Sequence, residues 1–251
     1  LRSRIIADKS MSFEIIDANT IFGPWPIVRA DMSVERLVAA LKNHQVSQAL
    51  AISTVGALHN HGDGNAETLR VCKEQPMLIP VATIDPRGYF GPPGMPARLK
   101  EQGFRMFRFF PMLQEWRLDH AVFCDILDEL ESLGLPIMMQ ARETGYPTAL
   151  VKSLSGHKAT FILEGVSFEN MAEAVSVMRK HDNVLVDTRE LRTPGALRFL
   201  VDQVGADRIV FGSGCLRSSL AAALSYVMDS EIPDEAKQKI LAGNIKRLLG
   251  I

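Results

Sequence analysis

The side chains best equipped for chemistry each end, or closely follow, a short apolar run. Asp17 and Asn19 close EIIDAN, Arg108 lies in FRMFRF, and Gln140 ends PIMMQ with Arg142 and Glu143 just beyond. Glu164 ends ATFILE, and Asp187 ends NVLVD. A carboxylate carried by an apolar strand into a desolvated place has a raised pKa and suits general acid or base work. An arginine there clamps a substrate carboxylate through two parallel hydrogen bonds. Strand alternation puts Arg105 and Arg108 on opposite faces, and Arg108 is expected to point inward. His59-Asn60-His61-Gly62-Asp63 offers a His-x-His pair. On a polar, glycine-containing loop that spacing fixes no metal geometry, so a solvated loop is expected.

Each of these residues also has a plainer reading. Asp17 can simply brace the next loop through backbone amides. Glu164 can be spent in a salt bridge to Arg108 or Arg142, and Arg142 can pair with Glu143. Cys215 is a candidate thiol nucleophile without an evident base beside it. Met138 and Met139 are expected to fill the core. Trp25 and Trp116 lie in loops, where packing is a simpler role than roofing a pocket.

The elements that must position these groups follow from the alternation of short apolar runs with helical patterns. Strands are predicted at 14–19, 48–53, 77–84, 104–109, 136–140, 159–164, 183–187 and 208–212. Their near-continuous apolar character suits parallel strands covered on both faces. Helices are predicted at 34–42, 66–74 (capped by Asp63 or Asn65), 96–102, 119–133, 147–154, 168–181, 194–204, 218–228 and 234–249. Eight strand-helix units without a linker imply a single (β/α)8 TIM barrel over residues 1–251, with 1–12 as an N-terminal extension and Met11 as an alternative start. An open doubly wound sheet is the competitor, but the first strand runs into Thr20-Ile21-Phe22-Gly23-Pro24-Trp25-Pro26, not into a Gly-x-Gly-x-x-Gly turn. In a barrel the chemistry belongs to the C-terminal strand ends and the loops after them.

Composition narrows the function classes. Lys+Arg 28 against Asp+Glu 29 leaves a formal net charge of -1, without the basic excess of a nucleic-acid binder. Three cysteines, Cys72, Cys124 and Cys215, form no Cys-x-x-Cys pair, which argues against a disulfide framework or a cysteine zinc site. No secretory signal and no membrane span are read, so a cytoplasmic location is expected.

Four segments resemble the amidohydrolase superfamily, in its amidohydrolase 2 branch. Ile16-Asp17-Ala18-Asn19-Thr20-Ile21-Phe22-Gly23 is similar to the strand-one signature, where the family has Asp-x-His-x-His. Gly205-Ala206-Asp207-Arg208-Ile209-Val210-Phe211-Gly212-Ser213 resembles the lead-in to strand eight, and Ala242-Gly243-Asn244-Ile245-Lys246-Arg247-Leu248-Leu249-Gly250 the closing helix. The segment from Gly103-Phe104-Arg105 to Pro111 resembles the family's strand four. The resemblance implies a metal-dependent barrel hydrolase or decarboxylase that holds its ion with histidines of strands one, five and six and an aspartate of strand eight. At the matching positions this chain has Asn19, Ile21, Gln140, Glu164 and Gly214.

Ile21 and Gly214 bring no side-chain donor, and neutral amides are weak ligands for the metals that imidazole suits. One carboxylate with two amides would hold a hard cation such as calcium, and then only loosely. The expectation is therefore an enzyme without a metal or other cofactor: a hydrolase or lyase, lactonase-like because the superfamily includes metal-free lactonases, acting on a small, carboxylated molecule. Glu164 and Asp187 are expected to be catalytic. Asp17, Asn19, Arg108, Gln140, Arg142, His59 and His61 are expected to bind substrate. The alternative is a catalytically silent barrel that binds a small molecule or a protein partner. The resemblance also suggests self-association, with a dimer as the simplest form.

Overall fold

The computed structural model describes residues 13–26, 31–91, 93–153 and 156–251. The expected N-terminal extension and the last residue of the helix predicted at 147–154 lie outside them. Eight parallel strands pair in sequential order: β1 (Ile16–Phe22), β2 (Gln48–Ser53), β3 (Leu78–Ala82), β4 (Met106–Phe109), β5 (Ile137–Gln140), β6 (Phe161–Glu164), β7 (Val184–Asp187) and β8 (Ile209–Val210). The helices are α1 (Val34–Asn43), α2 (Thr54–Leu58), α3 (His61–Glu74), α4 (Met95–Glu101), α5 (Pro111–Gln114), α6 (Ala121–Leu133), α7 (Tyr146–Ser153), α8 (Met171–Met178), α9 (Ala196–Val204), α10 (Leu220–Met228), α11 (Asp234–Gln238) and α12 (Asn244–Leu249). A π-helical turn, Lys239–Gly243, joins the last two. This is the (β/α)8 barrel that the alternation of elements predicted.

The strand period of two divides the core into two layers. Met106, Met138, Ile162, Leu185 and Val210 meet one another inside the barrel. Phe107, Phe109, Met139, Phe161, Leu163, Val186 and Ile209 pack outward against the helices. Thus Met138 and Met139 both fill core, on opposite sides of the sheet. Continuing the inner face by two residues along β4 to β7 brings Arg108, Gln140, Glu164 and Asp187 to one layer at the C-terminal end. Gln140 lies opposite Glu164 in the ladder.

The last pair, β1 and β8, closes through irregular backbone. Ala18 N donates to Phe211 O at 2.8 Å, Gly214 N to Asn19 O at 2.8 Å, and Ile21 N to Cys215 O at 2.8 Å. A register shift between Asp17 and Thr20 accompanies this closure. It explains why β1 runs on to Phe22, beyond the predicted end at 19.

Other differences have local causes. The predicted His59–Asp63 loop is two helix ends: His59 caps the C-terminus of α2, and the Asn60 side chain accepts from Asp63 N to start α3 at His61. Asn65, expected as a cap, instead bonds the backbone of Thr83 at both ends of its amide. Among the described residues no helix is long and apolar enough to cross a membrane.

Gly214 has φ +70, and a Cβ placed there would fall inside contact distance of the Arg189 guanidinium and its stem. Both the left-handed backbone and the occupied space demand glycine. Gly214→Ala should therefore cost about 1–3 kcal/mol of stability, read as a lower urea midpoint with an unchanged slope.

Candidate functional site

Glu164 stands at the centre of the barrel mouth with none of its surface exposed. Its Oε2 accepts from Arg108 Nε at 3.1 Å and its Oε1 from Arg108 Nη2 at 2.6 Å, the bidentate fork of a guanidinium on a carboxylate. Oε1 also accepts from Arg189 Nη1 at 2.5 Å and Arg217 Nη2 at 3.3 Å. Burial pushes this carboxyl toward its neutral form, but the three guanidiniums win and hold it well below the usual carboxylate range. Glu164 is thus a permanent anion at neutral pH. Of the two readings of Glu164, its surroundings match the salt bridge to Arg108 and not the acid with a raised pKa, and the inward Arg108 is joined by two further cations.

Asp187 is the group in the opposite situation. It is fully buried, its Oδ2 accepts from Asn19 Nδ2 at 2.7 Å, and its Oδ1 accepts from Gly165 N at 3.1 Å. Desolvation, reinforced by the negative charge of Glu164, pushes its pKa up to about 7. Asp17 is also fully buried and raised, to about 6 by desolvation, which its hydrogen bonds from Ser213 and Asn19 partly offset. Ser213 N and Asn19 N each donate to its Oδ1 at 3.0 Å, and the Ser213 hydroxyl donates to its Oδ2. Asp17 therefore does brace the β1–β8 closure, and through Asn19 it is linked to Asp187.

Three buried polar atoms in this group lack partners: Asn19 Oδ1, Arg189 Nε and Arg217 Nε. Such atoms are costly unless water or a ligand completes them. Arg217 also lies over Trp25, with Cζ 4.9 Å from the ring centroid, and Arg108 lies 5.0 Å over Phe110. Trp25 thus covers the cluster, whereas Trp116 packs against Phe123 at 4.8 Å in the outer core. A cleft of about 400 Å³ opens beside the cluster between the loops after β7 and β8, lined in part by Arg189, Arg217, Ser213, Ser218 and Tyr226.

The remaining expected site residues are placed less centrally. Gln140 is buried, but its Oε1 accepts weakly from Leu113 N at 3.4 Å, under α5. Arg142 is exposed, and its stem crosses Gly165. Among the described residues it forms no ion pair with Glu143 or Glu164, contrary to both pairings that the sequence allowed. His59 is exposed, and His61 is half-buried near Asp85, with its pKa lowered by burial. Neither histidine hydrogen-bonds to the Glu164–Asp187 group. The Cys215 thiol is buried and pushed up to about 12, so it is a poor nucleophile.

The strand-end rule puts Arg189 and Ser213 among the candidate positions without giving either a role, and it does not reach Arg217. Arg189 and Ser213 lie just past strand ends, where position gave a usable signal. Arg217 comes from an irregular turn that gave none.

Two consequences for stability are expected. Glu164→Gln leaves three guanidiniums in the mouth without their anion and should cost about 3–5 kcal/mol, measured by urea unfolding at pH 7. The raised carboxyls act with the opposite pH sign. Asp187 and Asp17 bind protons more tightly in the folded than in the unfolded chain, so their contribution is complete below 3.8 and fades as pH rises through about 6 and about 7. Melting temperature should fall between pH 5 and pH 8, and Asp187→Asn should flatten that slope.

No curated protein sequence matches the chain. Among solved structures, 5-carboxyvanillate decarboxylase from Sphingomonas paucimobilis has a TM-score of 0.73 at 14% identity, covering 96% of this chain and 100% of that one. A Pseudomonas putida protein provisionally named a 2-pyrone-4,6-dicarboxylic acid hydrolase has a TM-score of 0.73 at 16% identity, covering 96% and 98%. Dihydroxybenzoic acid decarboxylase from Polaromonas sp. JS666, with bound manganese and the inhibitor 2-nitroresorcinol, has a TM-score of 0.73 at 14% identity, covering 95% and 97%. At these identities the likeness is one of fold. The amidohydrolase family model, Amidohydro_2, matches residues 29–251, so the chain belongs to the amidohydrolase family.

Proposed function

We propose that this protein is a metal-independent hydrolase, or a related lyase, that acts on a small carboxylated molecule. The observation that carries the reading is the pairing, at one barrel mouth, of a carboxyl that titrates at about 7 with a group of guanidiniums. Similar folds that act on carboxylated aromatics support the substrate class.

The residues here do not fit the divalent ion that the family resemblance implies. Among the described residues no group of three or more His, Cys, Asp or Glu could hold one. The space a side chain at position 214 would need belongs to Arg189. An ion near Glu164 would face three guanidiniums within 3.3 Å of that carboxylate. In a low-dielectric mouth those like charges repel it strongly.

The same guanidiniums provide what hydrolysis needs in place of a Lewis acid. Part of this group holds the substrate's carboxylate, and its net positive charge stabilises negative charge that develops on an attacked carbonyl oxygen. Asp187, half ionised at neutral pH, takes the proton of the attacking water and returns it to the leaving oxygen. Asn19 orients that carboxyl. Glu164 keeps the arginines together without sharing in proton transfer.

The test is a panel of lactones and aromatic or aliphatic carboxylate esters, assayed after exhaustive chelation. Turnover should survive the chelator, and kcat/KM should rise as pH increases through about 7. Asp187→Asn should lower kcat by about 10²–10⁴-fold and leave the fold intact. Activity that vanishes with chelation and returns with manganese would refute the reading. A specific observation favours the silent-barrel alternative as second: Glu164 already engages all three arginines. Ligand binding without turnover, unaffected by Asp187→Asn, would support it.

A further inference from the structure

The three guanidiniums around Glu164 are not equivalent. Oε1 takes three of the four contacts, and Oε2 takes only one. An oxygen with two lone pairs is thereby oversubscribed. Arg108 holds both oxygens, at 2.6 and 3.1 Å, and Arg189 approaches to 2.5 Å. Arg217 is the surplus partner at 3.3 Å, through one nitrogen. Its Nε is buried with no acceptor, as is that of Arg189. Arg189 is only 7% exposed, so its unpaired donor lies in a desolvated place. Both arginines line the cleft of about 400 Å³ between the loops after β7 and β8, and the Ser213 and Ser218 side chains border the same space. Trp25 supports Arg217 from its other side without satisfying any N–H.

We propose that Arg217 is the substrate clamp: it leaves Glu164 and, with Arg189, receives the carboxylate of the ligand in this cleft. Two unpaired Nε donors and the weakest of the Glu164 contacts become a bidentate grip on a planar anion, while Arg108 remains locked to Glu164. The assignment gives the cleft a chemical class of ligand, a small organic carboxylate, and gives Arg217 the part that sets specificity. Arg217 already carries the cost of its exchange. Burial, with the neighbouring Arg189 charge, pushes its pKa down to about 10, so its charge is undercompensated until an anion arrives. The inference rests on the functional reading above for the site, but not for turnover.

The experiment is ligand binding to the full chain by calorimetry, with benzoate, malonate, benzamide and inorganic phosphate as probes. Trp25 fluorescence, read in a Trp116→Phe background because the chain has two tryptophans, reports movement of Arg217. Benzoate or malonate should bind with a saturable fluorescence change, and benzamide should not. Arg217→Ala should weaken carboxylate binding at least 10-fold. Arg217→Lys, which keeps the charge but loses the fork, should remain folded by circular dichroism and also lose affinity. Binding is read without any turnover, which separates this clamp from a failure of catalysis. Unchanged affinity in both Arg217 variants would overturn the proposal. So would equal binding of benzamide, no carboxylate binding at millimolar concentration, or phosphate binding tighter than every carboxylate.

Discussion

A carboxylate with no exposed surface, ringed by three guanidiniums, governs the mouth of this barrel. Taking Glu164 out of water costs several kcal/mol, and each buried arginine adds its own cost. None of the four groups is tolerable there alone. Together they are, because Arg108 presents a matched fork and Arg189 closes on the shared oxygen. The electrostatics of the rest of the site follow from this ring. The negative charge of Glu164 helps keep Asp187 protonated into the neutral range, and the surrounding positive charge disfavours a cation.

The ring also dictates backbone. Arg189 reaches Glu164 only because position 214 has no side chain, and Asp187 and Asn19 approach each other only because position 212 has none. A Cβ at Gly212 would meet Asp187 Oδ2 at 2.8 Å and the Cβ of Asn19 at 3.0 Å. Both glycines lie in the segment that closes β8 against β1. Closure of the barrel and assembly of the charged cluster are therefore one structural event. Asp17, tied to Ser213 across that seam, belongs to the same event.

The fold was legible because its signals are local and repeated. The strand from Gln48 to Ser53 has the observed bounds, and the inner and outer faces of β4 to β7 follow from simple alternation. Alternation also placed Arg108, Glu164 and Asp187 at one level. The charge states were not legible. An apolar strand delivers Glu164, which suited a raised pKa; its pairing with Arg108 was legible as the plainer reading, but the two guanidiniums that join Arg108 come from residues 25 and 53 positions later. Sequence spacing carries no information about such encounters. His59 and His61 misled for a related reason. Their pattern suggested a loop, whereas His59 caps one helix and the Asn60 side chain starts the next at His61.

The proposed function requires a division of labour between two buried carboxyls, Glu164 as a fixed anion and Asp187 as a proton carrier. It is tested most directly by following the side-chain carboxyl carbons by NMR across a pH titration of isotopically labelled protein, with Asp187→Asn and Glu164→Gln to assign the signals. The account predicts that Glu164 stays ionised down to the acid limit of the folded state and that Asp187 titrates near 7. A Glu164 signal that titrates near neutrality, or an Asp187 signal that stays ionised to pH 4, would contradict it.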